Sequence, residues 1–387
     1  MATFPHVPVH LITLTIMLLF VPGRLGNMET DKNCYVDLAQ VFFRYCQAHS
    51  ITATSDNFVT YKNPELSTWK IGLSRYIEIN INGTKIKDRK YYNNYQESLD
   101  DKPNQNRRDK PYKLAMRAYG HGLGNKMFMY ASSFAVAQWN KMEFIYDNPR
   151  KEIESIFQPT ARILHYEPNL TDSFLQLKTY TCCEFYPALK SLPPENIHLS
   201  GYLQSWRYLE PWEKDVRREF TFQDHIQSTA RESLLNMVAQ LTETSENQTF
   251  IGLHVRRGDF TYDQNLISHG HKVADAAYIH RAMAYFKDRY PDSIFIVCSD
   301  EMPWCKKNIP DTDGNVVFTE ESNPAYVDLA ILSLCNHTIM TVGTFSWWAA
   351  WLAGGEATYY ADWPQQGSGF EGSMNKSDYF LPHWIGL

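Results

Sequence analysis

The chain has 387 residues, of which 44% are hydrophobic, 21% charged and 14% aromatic, a composition that supports two or three domains with real cores and excludes wholesale disorder. Its 37 basic residues against 43 acidic ones leave a net charge of −6. That balance argues against nucleic acid as a partner, because a phosphate backbone rewards an excess of lysine and arginine.

In chain order, the first feature is an almost wholly apolar stretch from Val9 to Val21, closed by Pro22, Gly23 and Arg24. It is shorter than the roughly 20 residues of a full membrane span. Its length suits a signal peptide or a short uncleaved signal anchor, so residues 1–26 are expected to be one of these. Residues 27–112 show no sustained periodicity and end in the polar, proline-broken run SLDDKPNQNRRDKPYK, which reads as a stem and linker. From Lys113 the texture changes. LAMRAYG reads as a strand, GHGLGN as a tight turn, and Met127 to Trp139 as a helix. A second helix is expected from His225 to Leu241.

The carboxy-terminal part is more regular. FIGLHV (Phe250–Val255), IFIVC (Ile294–Cys298), VVFT (Val316–Thr319) and IMTV (Ile339–Val342) are short apolar runs of buried-strand type. Helical patterns over Asp275–Tyr290, with Asp275 as N-cap, and over Ala325–Leu334 separate them. Alternation of this kind predicts an α/β fold with a doubly wound parallel sheet, in which ligands bind beyond the carboxyl ends of the strands. The domains are expected at 113–245 and 246–387.

Seven cysteines without any C-x-x-C pair speak against structural zinc and leave disulfides and buried thiols both open. Sequons at Asn82, Asn169, Asn247, Asn336 and Asn375 favour a glycosylated, lumenal chain.

Three constellations carry chemistry. HVRRGDF (His254–Phe260) leaves a strand with two arginines and an aspartate. Guanidinium groups fork onto phosphate oxygens, so one arginine suits a ligand phosphate and the other a structural pair with Asp259. The competing readings are a surface charge cluster and an adhesion tripeptide. GHGLGNKMF (Gly120–Phe128) places backbone amides between strand and helix, yet it misses the dinucleotide fingerprint, and such a turn is often mere punctuation. TVGTFSWWAAWLAG (Thr341–Gly354) opens an apolar helix with hydroxyls and free amides that suit a phosphate; core packing is the expected role of Trp347, Trp348 and Trp351. Asp300 and Asp328 are carboxylates near the same sheet edge, each with a capping or solvated alternative. No H-E-x-x-H, P-loop or nucleophile elbow occurs, and no D-x-D stands between a strand and a loop where it would suggest a metal-bound sugar nucleotide. The site is expected to be cationic and metal-free.

GLGNKMF, GYLQSWRYLE, HVRRGD, CSDE and GTFSWWAAWL, in that order and spacing, together resemble the alpha-1,2-fucosyltransferases of glycosyltransferase family 11. The resemblance covers about Lys113 to the carboxy terminus. It implies a GT-B architecture of two facing Rossmann-like domains, a GDP-fucose donor, a galactose-terminated glycan acceptor, inversion at fucose C1, no metal or other cofactor, and a Golgi type II membrane protein with its catalytic domain in the lumen. By the same resemblance Arg256 is the β-phosphate ligand, with His254 and Arg257 supporting it. Gly124 and Asn125 approach from the opposite domain, and Thr344, Phe345 and Ser346 complete the pyrophosphate cradle. Asp328 and Asp300 read the nucleoside, and Asp259 is the carboxylate nearest to general-base duty. Lys126 stands where the family has glutamine and would alter a donor contact. A protein O-fucosyltransferase, an alpha-1,6 relative and a catalytically silent lectin are the alternative readings.

Overall fold

A computed structural model describes residues 111–120, 122–164, 170–179, 181–241, 248–309, 311 and 313–387, together with the backbone of four strands between 58 and 88. The apolar segment Val9–Val21, Cys34, Cys46 and three of the sequons lie outside these residues. Among the described residues no helix is long and apolar enough to cross a membrane. Part of the stretch read as a stem carries regular structure: β1 (Phe58–Lys62), β2 (Ser67–Gly72), β3 (Tyr76–Ile81) and β4 (Thr84–Asp88) form an antiparallel meander. The register pairs Ile81 with Thr84 and so leaves Asn82-Gly83 between them, the dipeptide most suited to a two-residue hairpin.

Two wholly parallel sheets follow. The first has the order β7-β6-β5-β9-β8, built from β5 (Lys113–Arg117), β6 (Glu143–Asp147), β7 (Arg162–Leu164), β8 (Leu175–Lys178) and β9 (Ile197–Ser200). Helix α1 (Leu123–Trp139) crosses from β5 to β6, and the short α2 (Glu152–Ile156) follows β6. The helix begins at Leu123, not at Met127, which places Gly124 and Asn125 in its first turn. Every residue of α1 from Met127 to Ala137 is buried. A helix apolar all round is covered on every side, and here one side meets the first sheet while another meets the second domain.

After α3 (Trp206–Leu209), α4 (Glu213–Glu219) and α5 (Asp224–Val238), the second sheet assembles in the order β12-β11-β10-β13-β14-β15. Its strands are β10 (Thr249–Val255), β11 (Ser293–Ser299), β12 (Val316–Phe318), β13 (His337–Met340), β14 (Ala357–Tyr359) and β15 (Ile385–Gly386). Counted within the domain this is 3-2-1-4-5-6, the Rossmann order. Helices α6 (Gln264–His269), α7 (Ala276–Arg289), α8 (Met302–Asn308), α9 (Ala325–Ser333), α10 (Gly343–Ala353), α11 (Gly369–Gly372) and α12 (Lys376–Tyr379) connect or flank the strands. Asp275 caps α7 as expected, its carboxylate accepting from the Tyr278 N–H at 2.7 Å. Strand β13 lies two residues earlier than the apolar run suggested, since its pairing with β10 starts at His337 and the chain turns away after Met340.

The two sheets share one core. Phe128 of α1 packs on Trp347 and Trp348 of α10 at centroid distances of 4.5 and 5.0 Å, and Phe220 closes on Trp348 at 4.9 Å. Trp347, Trp348 and Trp351 are thus core residues, as expected. Before entering β15 the chain crosses back over the first domain, where Asp378 accepts from the Phe185 N–H and from Arg207, and Trp206 donates to the Ser377 carbonyl. Both cysteine chemistries left open by the sequence occur: Cys182 and Cys183 are joined by a disulfide, and Cys298, Cys305 and Cys335 are buried thiols.

Candidate functional site

In the second sheet the strand order reverses between β10 and β13, which makes their carboxyl ends the topological switch point where an open α/β sheet binds ligands. Three side chains knit the two ends together. Thr341 donates its hydroxyl to the His254 carbonyl at 3.0 Å and accepts the Arg256 N–H at 2.9 Å. His254 Nδ1 lies 2.6 Å from Ser346 Oγ. Because that hydroxyl donates to the Val342 carbonyl at 3.1 Å, the imidazole supplies the proton, which assigns it to Nδ1 and leaves Nε2 with the lone pair. Burial pushes the His254 pKa down to about 4 and the Arg256 charge adds to this against the opposing pull of Asp300, so the ring is neutral at physiological pH.

Helix α10 begins at this point with no side-chain cap and no acidic residue in its first turn, and α1 of the first domain begins the same way. The two helix starts touch. Thr344 Oγ1 donates to Asn125 Oδ1 at 2.8 Å, and Trp348 Nε1 donates to the Gly124 carbonyl at 3.0 Å. Contact this close requires glycine: a Cβ on Gly124 would lie 2.6 Å from the Thr344 carbonyl carbon. Each helix start carries roughly half a positive charge and unpaired N–H groups. Two such ends in contact repel one another, and an anion bound beside both of them relieves that repulsion. Gly124, Asn125, Thr344, Phe345 and Ser346, named from sequence at opposite ends of the chain, are brought together here.

The arginines are arranged otherwise than the sequence suggested. Asp259 pairs with Arg256 at 2.5 Å, not with Arg257. Asp300 takes the other terminal nitrogen of Arg256, and its second oxygen accepts the Arg257 N–H at 2.8 Å. Gly258 makes this possible, since a Cβ there would sit 2.4 Å from Asp300 Oδ2. Asp300 therefore clamps the arginine pair, one oxygen on the Arg256 guanidinium and the other on the Arg257 N–H. Arg257 turns to Glu301 at 2.8 Å and stacks on Trp304 at 4.0 Å, while the Arg256 guanidinium lies 5.1 Å from the Phe260 ring. Arg256 and Arg257 face Asp259, Asp300 and Glu301, so the side chains of the strand end carry one negative charge in excess. The expectation of a cationic cluster is corrected accordingly: the attraction for an anion comes from the helix starts and from the donors of Arg256 that remain unused, since a guanidinium has five.

Asp328 stands apart from that clamp, in the first turn of α9. Its carboxyl accepts from Asn323 Nδ2 at 3.0 Å and lies beside Thr319, at the carboxyl end of β12; burial, opposed by these two donors, pushes its pKa up to about 6. Lys126 turns away from the cleft. It is buried in the first domain and paired with Glu152, so the departure from the family's glutamine changes no group of the cradle. Sequence reasoning assigned no role to Thr341, Glu301, Trp304, Phe260 or Gln204. The last donates to Asn125 Oδ1 at 3.0 Å and sets its orientation. Gln204 was in view within GYLQSW, but only the fold shows that this loop follows the strand beside β5.

The sequence model for glycosyl transferase family 11 matches residues 77–387, beginning ahead of Lys113 and inside the stretch read as a stem. Galactoside alpha-(1,2)-fucosyltransferase 2 of Pongo pygmaeus is 36% identical over 270 residues, which cover 68% of this chain and 76% of that protein. Galactoside alpha-(1,2)-fucosyltransferase 1 of Homo sapiens is 35% identical over 269 residues, covering 68% and 72%. Among solved structures, the fucosyltransferase NodZ from Bradyrhizobium aligns with a TM-score of 0.41 at 15% identity over 62% of this chain and 93% of that one. By the extent of the family match and the identity to these relatives, the chain belongs to glycosyltransferase family 11.

Proposed function

We propose that this protein transfers L-fucose from GDP-fucose to the 2-hydroxyl of a terminal galactoside, with inversion at C1 and without a metal ion. The observation that carries the reading is the meeting of two uncapped, acid-free helix starts from two domains beside Arg256, a fixed set of donors for a departing pyrophosphate. The activity in the names of the relatives supports the sugar, the galactoside acceptor and the linkage. In the reaction the bond from fucose C1 to the β-phosphate oxygen breaks with its electron pair leaving on GDP, and the galactoside O2 bonds C1 from the opposite face as its hydroxyl proton is released to solvent water. Donors aimed at the leaving oxygens contribute most where charge develops. Arg256 is the side-chain donor, Asp259 and Asp300 hold it in aim, and Asp328 faces the guanine.

The apolar segment at Val9–Val21 and the sequons support residence in the Golgi membrane as a single-pass type II protein with a lumenal catalytic domain. Two of the sequon asparagines, Asn336 and Asn375, are exposed in the fold. The test is incubation of the purified protein with GDP-fucose and a panel of galactosides, with and without EDTA, and assignment of the product linkage by NMR. An alpha-1,2 linkage formed in the presence of EDTA is the expected result; transfer to another position, or a need for manganese, refutes the reading.

A further inference from the structure

The first sheet has a switch point of its own. Strand β5 continues to β6 on one side, while the chain returns through β8 to β9 on the other, so the order reverses between β5 and β9. Beyond the carboxyl ends of these two strands stand Tyr119 and Tyr202, with ring centroids 5.2 Å apart and planes tilted by 48°. Tyr119 is 39% exposed, one of the few large apolar side chains among the described residues to be so. The backbone holds the pair in place. Gly201 has φ +148° and no room for a Cβ, which would lie 1.8 Å from Thr179 Oγ1. Leu203, fully buried, has φ +51°, a conformation rare outside glycine. A Cβ on Gly120 would meet the Tyr202 hydroxyl at 3.0 Å. This same loop carries Gln204, which bonds Asn125, which in turn accepts from Thr344 of the cradle. The tyrosines therefore stand at the rim of the donor cleft on the side of the first domain.

We propose that Tyr119 and Tyr202 form the platform on which the acceptor sugar lies, and that they select a galactoside. The proposal rests on the reading of the protein as a fucosyltransferase and names its second substrate's site. A galactopyranoside has an axial O4, which gathers the hydrogens of C3, C4 and C5 on one face as an apolar patch. An aromatic ring face complements that patch, and the phenol hydroxyls provide hydrogen bonds at its edge. A glucoside, with equatorial O4, turns H4 to the opposite face and so offers a smaller patch of H3 and H5 without it. Burial and the neighbouring Tyr202 push the Tyr119 hydroxyl up to about 12, so it remains a donor at any physiological pH.

The test uses the full chain loaded with GDP, with methyl β-galactoside and methyl β-glucoside as probes in saturation-transfer NMR, alongside steady-state kinetics. The wild-type protein is expected to saturate H3, H4 and H5 of the galactoside and to pass little to the glucoside. Tyr119→Ala should lose that contrast and raise the acceptor KM by roughly fivefold, with the Kd for GDP unchanged, since a ring contact of this kind contributes about 1 kcal/mol. Tyr119→Phe should retain most of the contact. Tyr119→Leu, which keeps apolar bulk but has no ring face, carries the same test if the alanine variant does not fold. Unaltered galactoside binding and acceptor KM in Tyr119→Ala or Tyr119→Leu overturn the proposal, as does a parallel loss of GDP affinity. Titration of GDP into the wild type tests the donor site separately, so failure of the platform and failure of the transferase reading give different results.

Discussion

Replacing Gly124 by alanine sets two effects against each other. In an isolated helix the change is favourable by about 0.5–1 kcal/mol, because glycine is the more flexible residue. Here the added methyl would stand 2.6 Å from the Thr344 carbonyl carbon and 2.8 Å from the Phe345 nitrogen, both backbone atoms that cannot rotate aside. Reaching the 3.4 Å of an ordinary contact requires α1 and α10 to separate by about 0.8 Å, and overpacking of this kind costs about 1–3 kcal/mol. The net expectation is a loss of roughly 1–2 kcal/mol in stability. The loss of function should be larger, since the same separation stretches the Thr344 to Asn125 and Trp348 to Gly124 hydrogen bonds and parts the two sets of amides. Urea unfolding, calorimetric titration of GDP and steady-state transfer measure the three quantities. A variant that binds GDP and turns over like wild type would show that the two helix starts do not act on the donor together. A variant more stable than wild type would show that helix propensity outweighs the contact.

Three further outcomes are expected. Arg256→Lys keeps the charge but cannot hold Asp259 and Asp300 while presenting a fork, so kcat/KM should fall by about 2–4 kcal/mol at the transition state with the circular dichroism spectrum unchanged; kinetics near wild type would remove Arg256 from the phosphate. Asp328→Ala should weaken GDP but not UDP by roughly 1–3 kcal/mol in calorimetric titration, and wild-type GDP affinity should itself decline as the pH drops through about 6; equal GDP binding by both proteins would make Asp328 a structural acid. His198, His254 and His271 all have native pKa values lowered to about 4, chiefly by burial. Their stabilising contribution is present above the unfolded value of 6.5 and lost as the pH falls toward 4, while raised Asp328 opposes this as a single group between about 6 and 3.8. The urea midpoint should therefore fall between pH 7.5 and pH 4.5, and a midpoint that holds or rises would refute neutral burial of the histidines.

The second domain was legible because its strands are short β-branched runs set between strong helical patterns, and because Asp275 marks a helix start with a real cap. The first was less so. Only β5, α1 and α5 were anticipated, since EFIYD and IHLS are brief and carry little periodicity, and β1–β4 were missed although Asn82-Gly83 between the alternating YIEINI and TKIKD is a hairpin signal. At the site, residue types were readable and pairings were not. Asp259 lies two positions from Arg257 and three from Arg256, and no spacing rule chooses between them; the turn at Gly258 does, by bringing Asp300 across from β11. Lys126 looked like a defect in the cradle because its side chain was assumed to point where its neighbours' backbone does.

The shared core governs how substrates come and go. Parting the domains at the cleft would strip Trp347 and Trp348 of their cover against Phe128 and Phe220. Both indoles also pack within the second domain, Trp347 on Trp384 and Trp348 on Trp351, so parting would expose part of each ring, at roughly 25 cal/mol per Å² uncovered. The strap from Met374 to Tyr379 and the guanidinium of Arg217, which donates to the Trp351 and Leu352 carbonyls from the other domain, resist the same motion. A clamshell cycle, in which a donor is admitted by an open form and sealed in by closure, would have to break these contacts in every turnover. On the proposed function, nucleotide exchange is expected to proceed by movement of side chains and loops at the lip of the site. Rate-limiting release of GDP would then respond to substitutions along that lip.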